Sequence, residues 1–165
     1  MLFRSQCLRT LGDVLIGQGK YAEASPVLKA AHAEYLKLGE PFGVAECARS
    51  LGIVLLSQER YSEASSTLAE ALHQFQNIGD RYGEAVCLKF LSMLLLGEGK
   101  RTEGGNSLTR ARNLYLDIRL ENQARHCSGW LETLGGLEDA DSGSIRNIFR
   151  DFRISLIQGS YHVQL

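Results

Sequence analysis

The sequence predicts an all-α fold, a curved solenoid of antiparallel helix pairs stacked one on the next. Three observations carry this. Sliding the chain by forty residues superposes Cys7, Cys47, Cys87 and Cys127, and likewise Leu11, Leu51, Leu91 and Leu131. Within each forty-residue unit, apolar residues recur every three or four positions in two successive stretches, the period of an amphipathic helix. Only two prolines interrupt 165 residues, so little in the composition breaks helices. One such hairpin cannot bury both apolar stripes, whereas stacking the next unit covers what the last leaves exposed.

The first helix is expected over about Phe3 to Gly17, with Cys7, Leu8, Leu11, Val14 and Leu15 as its packing stripe and Gly17-Gln18-Gly19 as its end. The second runs from about Tyr21 to Leu38, with Ala24, Leu28, Ala31, Tyr35 and Leu38 on one face. Pro26 lies early enough to be tolerated with some bend, and Gly39-Glu40-Pro41 stops the helix. The clearest copy, Cys47 to Asp80, repeats this pattern. Ala48, Leu51, Val54 and Leu55 precede the inner turn Ser57-Gln58-Glu59; Ala64, Leu68, Ala71, Phe75 and Ile78 precede the outer turn Gly79-Asp80. The third unit has Leu88, Leu91, Leu94 and Leu95, then Leu108, Ala111, Tyr115 and Ile118. There Gly104-Gly105 replaces Ala24-Ser25 and Ala64-Ser65. Helical glycine costs about 1 kcal/mol relative to alanine, so this helix is expected to be the softest and to exchange its amides fastest.

The fourth unit keeps a first helix, about Asn122 to Leu134, with Cys127, Trp130, Leu131 and Leu134 apolar. The expected organisation is therefore an array over 1–135, in units of about 1–40, 41–80, 81–120 and 121–135. An acidic flexible loop over 136–144 and a closing helix over 145–158 follow, then a tail over 159–165. Ile145, Ile148, Phe149, Phe152 and Leu156 recur at helical spacing among Arg146, Arg150 and Arg153. That pattern also suits a membrane surface, but the last unit of a stack needs its apolar face covered, and capping is the preferred reading.

The formal net charge is −1 and the pI about 6.4, so no global field draws nucleic acid or an anionic membrane. No apolar run approaches the roughly 18 residues of a spanning helix, and Met1-Leu2-Phe3-Arg4 does not open a secretory leader. A cytoplasmic protein is expected. The four cysteines occupy one position in successive repeats, about a helix diameter of roughly 10 Å apart. That is too far for a disulfide, whose Cα atoms lie within about 7 Å, or for thiolates sharing zinc. They are expected as small buried packing residues and free thiols.

Leu-Gly at 11–12 and 51–52, Gly-Lys-Tyr at 19–21, Glu-Arg-Tyr at 59–61, and the triplets Ala24/Leu28/Ala31 and Ala64/Leu68/Ala71 resemble the tetratricopeptide repeat in a forty-residue form. The resemblance covers about residues 3–135 and implies a right-handed superhelix that binds protein without catalysis. The stretches QCLRTLGDVLIGQGKYAEA (6–24) and IGDRYGEAVCL (78–88) further resemble arrays attached to signalling NTPases of the NACHT and NB-ARC type in filamentous fungi. That likeness implies an alternative role, a structural or sensor segment packing against an NTPase domain of the same or a related polypeptide.

In the family, one face of each first helix lines the inner groove. The resemblance places Gln6, Arg9, Asp13 and Ile16 there, then Glu46, Arg49, Ile53 and Leu56, then Val86, Lys89, Met93 and Leu96. Arg9, Arg49 and Lys89 form a basic column, with Ile53, Leu56, Met93 and Leu96 as an apolar strip beside it. The groove is expected to take a peptide or protein segment bearing carboxylates and apolar side chains. Asp13, Ile53 and Met93 stand where a carboxylate clamp for chaperone C-termini wants asparagine or arginine, so that clamp is not expected. Thr10, Ser50 and Phe90 stand where cell-polarity adaptors carry a backbone-holding asparagine. On the second helices, Lys20, Arg60 and Lys100 precede Glu23, Glu63 and Glu103 by three residues, a spacing for local surface ion pairs.

Catalytic signatures are weak. Gly97-Glu98-Gly99-Lys100 lacks the spacing and the strand–helix setting of a phosphate loop. His126 and Cys127 point about 100° apart on a helix and make no dyad. His32, His73 and His162 show no metal spacing, and no aromatic–basic strip suggests a nucleic-acid platform. No catalytic residue, metal or cofactor is expected.

Overall fold

The computed structural model describes residues 1–136 together with Asn147, Arg150, Asp151 and Ile154. Seven α-helices run through this stretch: α1 (Leu2–Gly17), α2 (Tyr21–Leu38), α3 (Pro41–Ser57), α4 (Tyr61–Ile78), α5 (Arg81–Gly97), α6 (Arg101–Asp117) and α7 (Glu121–Gly135). No strand occurs among the described residues. The fold is an all-α repeat of helix pairs. The loop expected over 136–144, the closing helix over 145–158 and the tail lie outside the described residues, except that Gly136 ends α7 and the four isolated residues named above are helical. The chain divides into a first unit, Met1–Gly79, and a second beginning at Asp80.

The helix ends follow one rule. The second helices of the first two pairs stop at glycines in the left-handed region, Gly39 at φ +66° and Gly79 at φ +79°. The inner turns use the same conformation at Gly19, Glu59 and Gly99. After the turn, the Lys20, Arg60 and Lys100 amides reach back to the Leu15, Leu55 and Leu95 carbonyls at 2.9–3.0 Å, satisfying acceptors that a helix end would leave open. Pro41 starts α3 at a position where its missing N–H costs nothing. Asp80 caps α5 by accepting from the Gly83 amide at 3.0 Å.

In the first unit α1 packs on α2, α2 on α3 and α3 on α4, with a smaller contact between α1 and α3. Ala24, Leu28, Ala31 and Tyr35 of α2 are buried, as are Ala64, Leu68, Ala71 and Phe75 of α4, while Leu38 and Ile78 at the ends of those stripes are exposed. Three glycines set how closely the helices approach. A Cβ on Gly12 would lie 2.5 Å from Leu28, one on Gly52 2.6 Å from Leu68, and one on Gly43 2.3 Å from the Tyr35 ring. Phe42 meets Phe75 edge-on, with ring centroids 6.3 Å apart. The α1 stripe departs from expectation. Leu15 is buried and Leu8 packs against the cluster of Ala31, Tyr35, Val44 and Cys47, but Cys7, Leu11 and Val14 are exposed. Their counterparts in α3, Cys47 and Val54, are covered. Among the described residues of this unit, α1 has α2 and α3 on one side, and no helix plays the part that α2 plays for α3.

In the second unit α6 packs on α5 and on α7. Leu108, Ala111 and Tyr115 are buried, Tyr82 meets Tyr115 edge-on at 6.4 Å, and Arg110 pairs with Glu84 at 3.2 Å. The Arg101 guanidinium donates to the Leu134 carbonyl and ties the start of α6 to the end of α7. Gly104 is more than a weak helix former. It is buried, and a Cβ there would meet Leu96 at 2.8 Å and the Ser92 carbonyl oxygen at 3.0 Å, so α5 and α6 approach more closely than alanine allows. Gly105 has nothing within 4 Å of that position. The two adjacent glycines should therefore answer alanine with opposite signs. Gly105→Ala is expected to raise the unfolding free energy by about 0.5–1 kcal/mol, and Gly104→Ala to lower it by about 1 kcal/mol or more, both read from urea unfolding curves.

Candidate functional site

The expected groove residues separate by exposure. In the first unit Gln6 is exposed, and Arg9, Asp13 and Arg49 are partly exposed. Ile16, Ile53 and Leu56 are buried, as are Met93 and Leu96 at the matching positions of the second unit. The apolar strip Ile53, Leu56, Met93 and Leu96 is therefore interior in this structure and is corrected as an accessible lining. For Leu96 the reason is visible, since its side chain lies against Gly104 of the paired helix. Ile53 and Met93, three positions earlier, fall on the adjoining side of the same helices and are covered too.

The charged residues of the first unit are joined to one another. Arg9 of α1 reaches Asp13, one turn along its own helix, at 3.1 Å and Glu46 of α3 at 3.4 Å. Arg49 reaches the same Glu46 oxygen at 3.0 Å. The Ser50 hydroxyl donates to Asp13 at 2.7 Å. The side chains of Arg9, Asp13, Glu46 and Arg49 are between 10% and 26% exposed, so these contacts are less screened than those on an open surface. Two guanidinium groups and two carboxylates thus form an ordered row of alternating charge bridging α1 and α3. Glu46 belongs to the expected face, but its pairing with two arginines was not foreseen, nor was the role of Ser50. Glu46 lies three residues before Arg49, and that spacing is the signal that could have shown half of it.

In the second unit Lys89 is buried rather than set on a groove wall. Its ammonium lies 5.6 Å from the centroid of the Tyr115 ring and donates to the Gln123 side chain at 3.4 Å. Val86 at the same face is buried as well. On the second helices, Arg60 and Glu63 form the expected pair, bidentate at 2.6 and 2.7 Å. This contact raises the arginine's affinity for its proton and lowers the glutamate's. Lys100 instead pairs with Glu98 at 2.9 Å. Among the described residues no ion pair joins Lys20 to Glu23.

The four cysteines are free thiols, and three are buried. Cys7 is exposed, which corrects the expectation of four packed cysteines. Burial pushes the Cys47 thiol up to about 12; Arg9 and Arg49 pull it down, and Asp13 and Glu46 push it up. Burial also raises Cys127, against the pull of Lys89 and Arg112. His126, next to it, is exposed, so the two side chains do not share an environment. A raised thiol is a poor nucleophile at neutral pH. A thiol-disulfide reagent should therefore titrate one thiol, Cys7, in the folded protein and four after denaturation. The Cys47 thiol stays protonated in the folded chain up to about pH 12, whereas an unfolded thiol ionises from about pH 8.5. Its burial thus contributes stability that is full below the unfolded value and is lost as pH rises toward the folded one.

Residues 4–77, spanning α1 to α4, match the sequence model of the tetratricopeptide repeat. The match supports a tetratricopeptide-repeat family, whose members generally mediate protein–protein interaction. No curated protein matches the chain. Among the described residues no helix is long and apolar enough to cross a membrane.

Proposed function

We propose that the chain is a non-catalytic protein-interaction module whose first-helix faces receive a segment of another polypeptide. The observation that supports this reading best is the row Arg9, Asp13, Glu46 and Arg49. Its side chains are held in place by mutual contacts before any ligand arrives. A partner that docks on an ordered row loses less side-chain entropy than one that must order long flexible arginines itself. With the apolar strip interior, the segment is read out by its charges. Its carboxylates meet Arg9 and Arg49, and its cations or amides meet Asp13. Lys89 is turned onto Tyr115 and Gln123, which leaves Arg9 and Arg49 as the principal contacts. This reading is preferred to packing against an NTPase domain, because the charged row needs no such domain to be ordered.

The test is co-purification with the wild-type chain against the chain carrying Arg9→Glu and Arg49→Glu, with Arg9→Ala as a milder variant. Each is first shown by circular dichroism to keep its helices. The expected result is loss of the recovered partner in the double reversal and weakening in Arg9→Ala. Recovery of the same partners by all three chains would refute the proposed surface.

A further inference from the structure

Where α2 ends and α3 begins, the first unit holds a cavity of about 370 Å³ with mostly apolar walls, among them Tyr35, Leu36, Pro41 and Val44. That volume is within the range of ligand sites, about 300–1,000 Å³. Two side chains bring oxygen acceptors to it, Glu40 and Gln74. Glu40 is exposed and stands at the N-cap of α3, but its side chain makes no capping bond. Among the described residues its carboxylate joins no ion pair. Forty residues on, Asp80 uses its carboxylate to cap α5 at the Gly83 amide. Gln74 of α4 donates from Nε2 to Glu70 at 3.5 Å, so Oε1 is the inward atom; it is buried and accepts no hydrogen bond. A buried acceptor left without a donor is destabilising.

The first helix pair shows which donor is missing. There Glu34 stands at the position of Gln74, pairs with Arg4 at 3.3 Å and accepts from the Ser5 hydroxyl at 3.2 Å. Forty residues later Arg4 and Ser5 become Val44 and Ala45. Both donors are gone, valine is shorter than arginine, and the cavity lies beside it with Gln74 on its wall. We propose that this cavity takes an arginine side chain of another polypeptide. Its methylenes lie against Tyr35, Pro41 and Val44, and its guanidinium, a planar fork of five N–H donors, reaches Glu40 and Gln74 together. The contact from Gln74 to Glu70 is long, so the amide turns its oxygen to the ligand at little cost. The ends of α2 and α3 set opposite partial charges around the cavity, and the formal charge of Glu40 decides for a cation. A free arginine fits less well. Its own carboxylate faces Glu40, and among the described residues no lysine or arginine lines the cavity to receive it.

An NMR titration of the isotope-labelled whole chain with N-acetyl-arginine amide tests this. The Gly39 and Val44 amides are expected to shift and to saturate. N-acetyl-citrulline amide, which keeps the shape and lacks the charge, should bind about fivefold more weakly or less, and free arginine should also bind more weakly than the blocked form. Glu40→Gln, at an exposed residue without an ion pair, should bring the arginine probe down to the level of the citrulline one. Gln74→Met, which keeps the length and removes the acceptor, should weaken it as well. Absence of saturable shifts at Gly39 and Val44 would overturn the proposal, and so would equal affinity for the two blocked probes or an unchanged affinity in Glu40→Gln. Free arginine binding as tightly as its blocked form would overturn the assignment to a polypeptide. The charged row of Arg9, Asp13, Glu46 and Arg49 takes no part in this contact, so the two sites stand or fall separately.

Discussion

Shortening Leu68 to alanine is expected to lower the unfolding free energy by about 2–5 kcal/mol, seen as a lower urea midpoint at unchanged slope. The residue is fully buried, and its Cγ and Cδ2 lie 2.6 and 2.8 Å from where a Cβ on Gly52 would stand. The missing atom on α3 and the leucine on α4 are two halves of one fit. Gly52→Ala alone overfills the contact and should cost about 1–3 kcal/mol. Combined with Leu68→Ala, the added methyl enters the space the leucine leaves, so the double variant should lose about 1 kcal/mol less than the sum of the singles. Gly12 and Leu28, at 2.5 Å, repeat the arrangement one pair earlier. A cycle crossing Gly12→Ala with Leu68→Ala should be additive, because those residues belong to different fits. Additivity between Gly52→Ala and Leu68→Ala would mean that the close approach does not decide the packing.

The repeat made much of this fold readable in advance, and the reasons are local. The limits of α2, Tyr21–Leu38, follow from two turns whose glycines take the left-handed conformation. The buried set Ala24, Leu28, Ala31 and Tyr35 follows from helical spacing. Three kinds of information were not local. Periodicity shows which face of α1 is apolar but not whether anything covers it, so Cys7, Leu11 and Val14 read as core and are exposed. Glu59 and Arg119 take positive φ where Gly19, Gly39, Gly79 and Gly99 stand in the related turns; a turn was legible at Glu59, but its conformation was carried by the neighbouring repeats rather than by the residue. In the charged row, the contacts from Arg9 to Glu46 and from Ser50 to Asp13 both span 37 residues, three short of the repeat. A column drawn at intervals of forty residues shows like charge above like charge. The side chains instead meet diagonally, acid to base, and a reading confined to equivalent positions misses that neutralisation.

Replacing Glu46 by alanine should therefore cost far more than an ordinary surface ion pair. The carboxylate accepts from Arg9 and Arg49 at once, in a place where its own side chain is 10% exposed. Removing one partner of a buried ion pair costs about 3–5 kcal/mol, and an exposed pair is worth less than about 1 kcal/mol. With the arginines partly solvated, about 2 kcal/mol is expected for Glu46→Ala. Glu46→Gln should cost less, since it keeps the shape and one acceptor. Arg9 retains Asp13 at 3.1 Å, so most of the loss should be coupled to Arg49 and appear as non-additivity in a cycle with Arg49→Ala. Salt separates this account from a surface effect. At about 1 M ionic strength the screening length is near 3 Å, which should erase any contribution of the exposed Arg60–Glu63 pair and leave most of the Glu46 cost in place. A loss for Glu46→Ala that disappears in high salt would show that the row is solvated like any surface, and the argument for a binding face ordered in advance would fail with it.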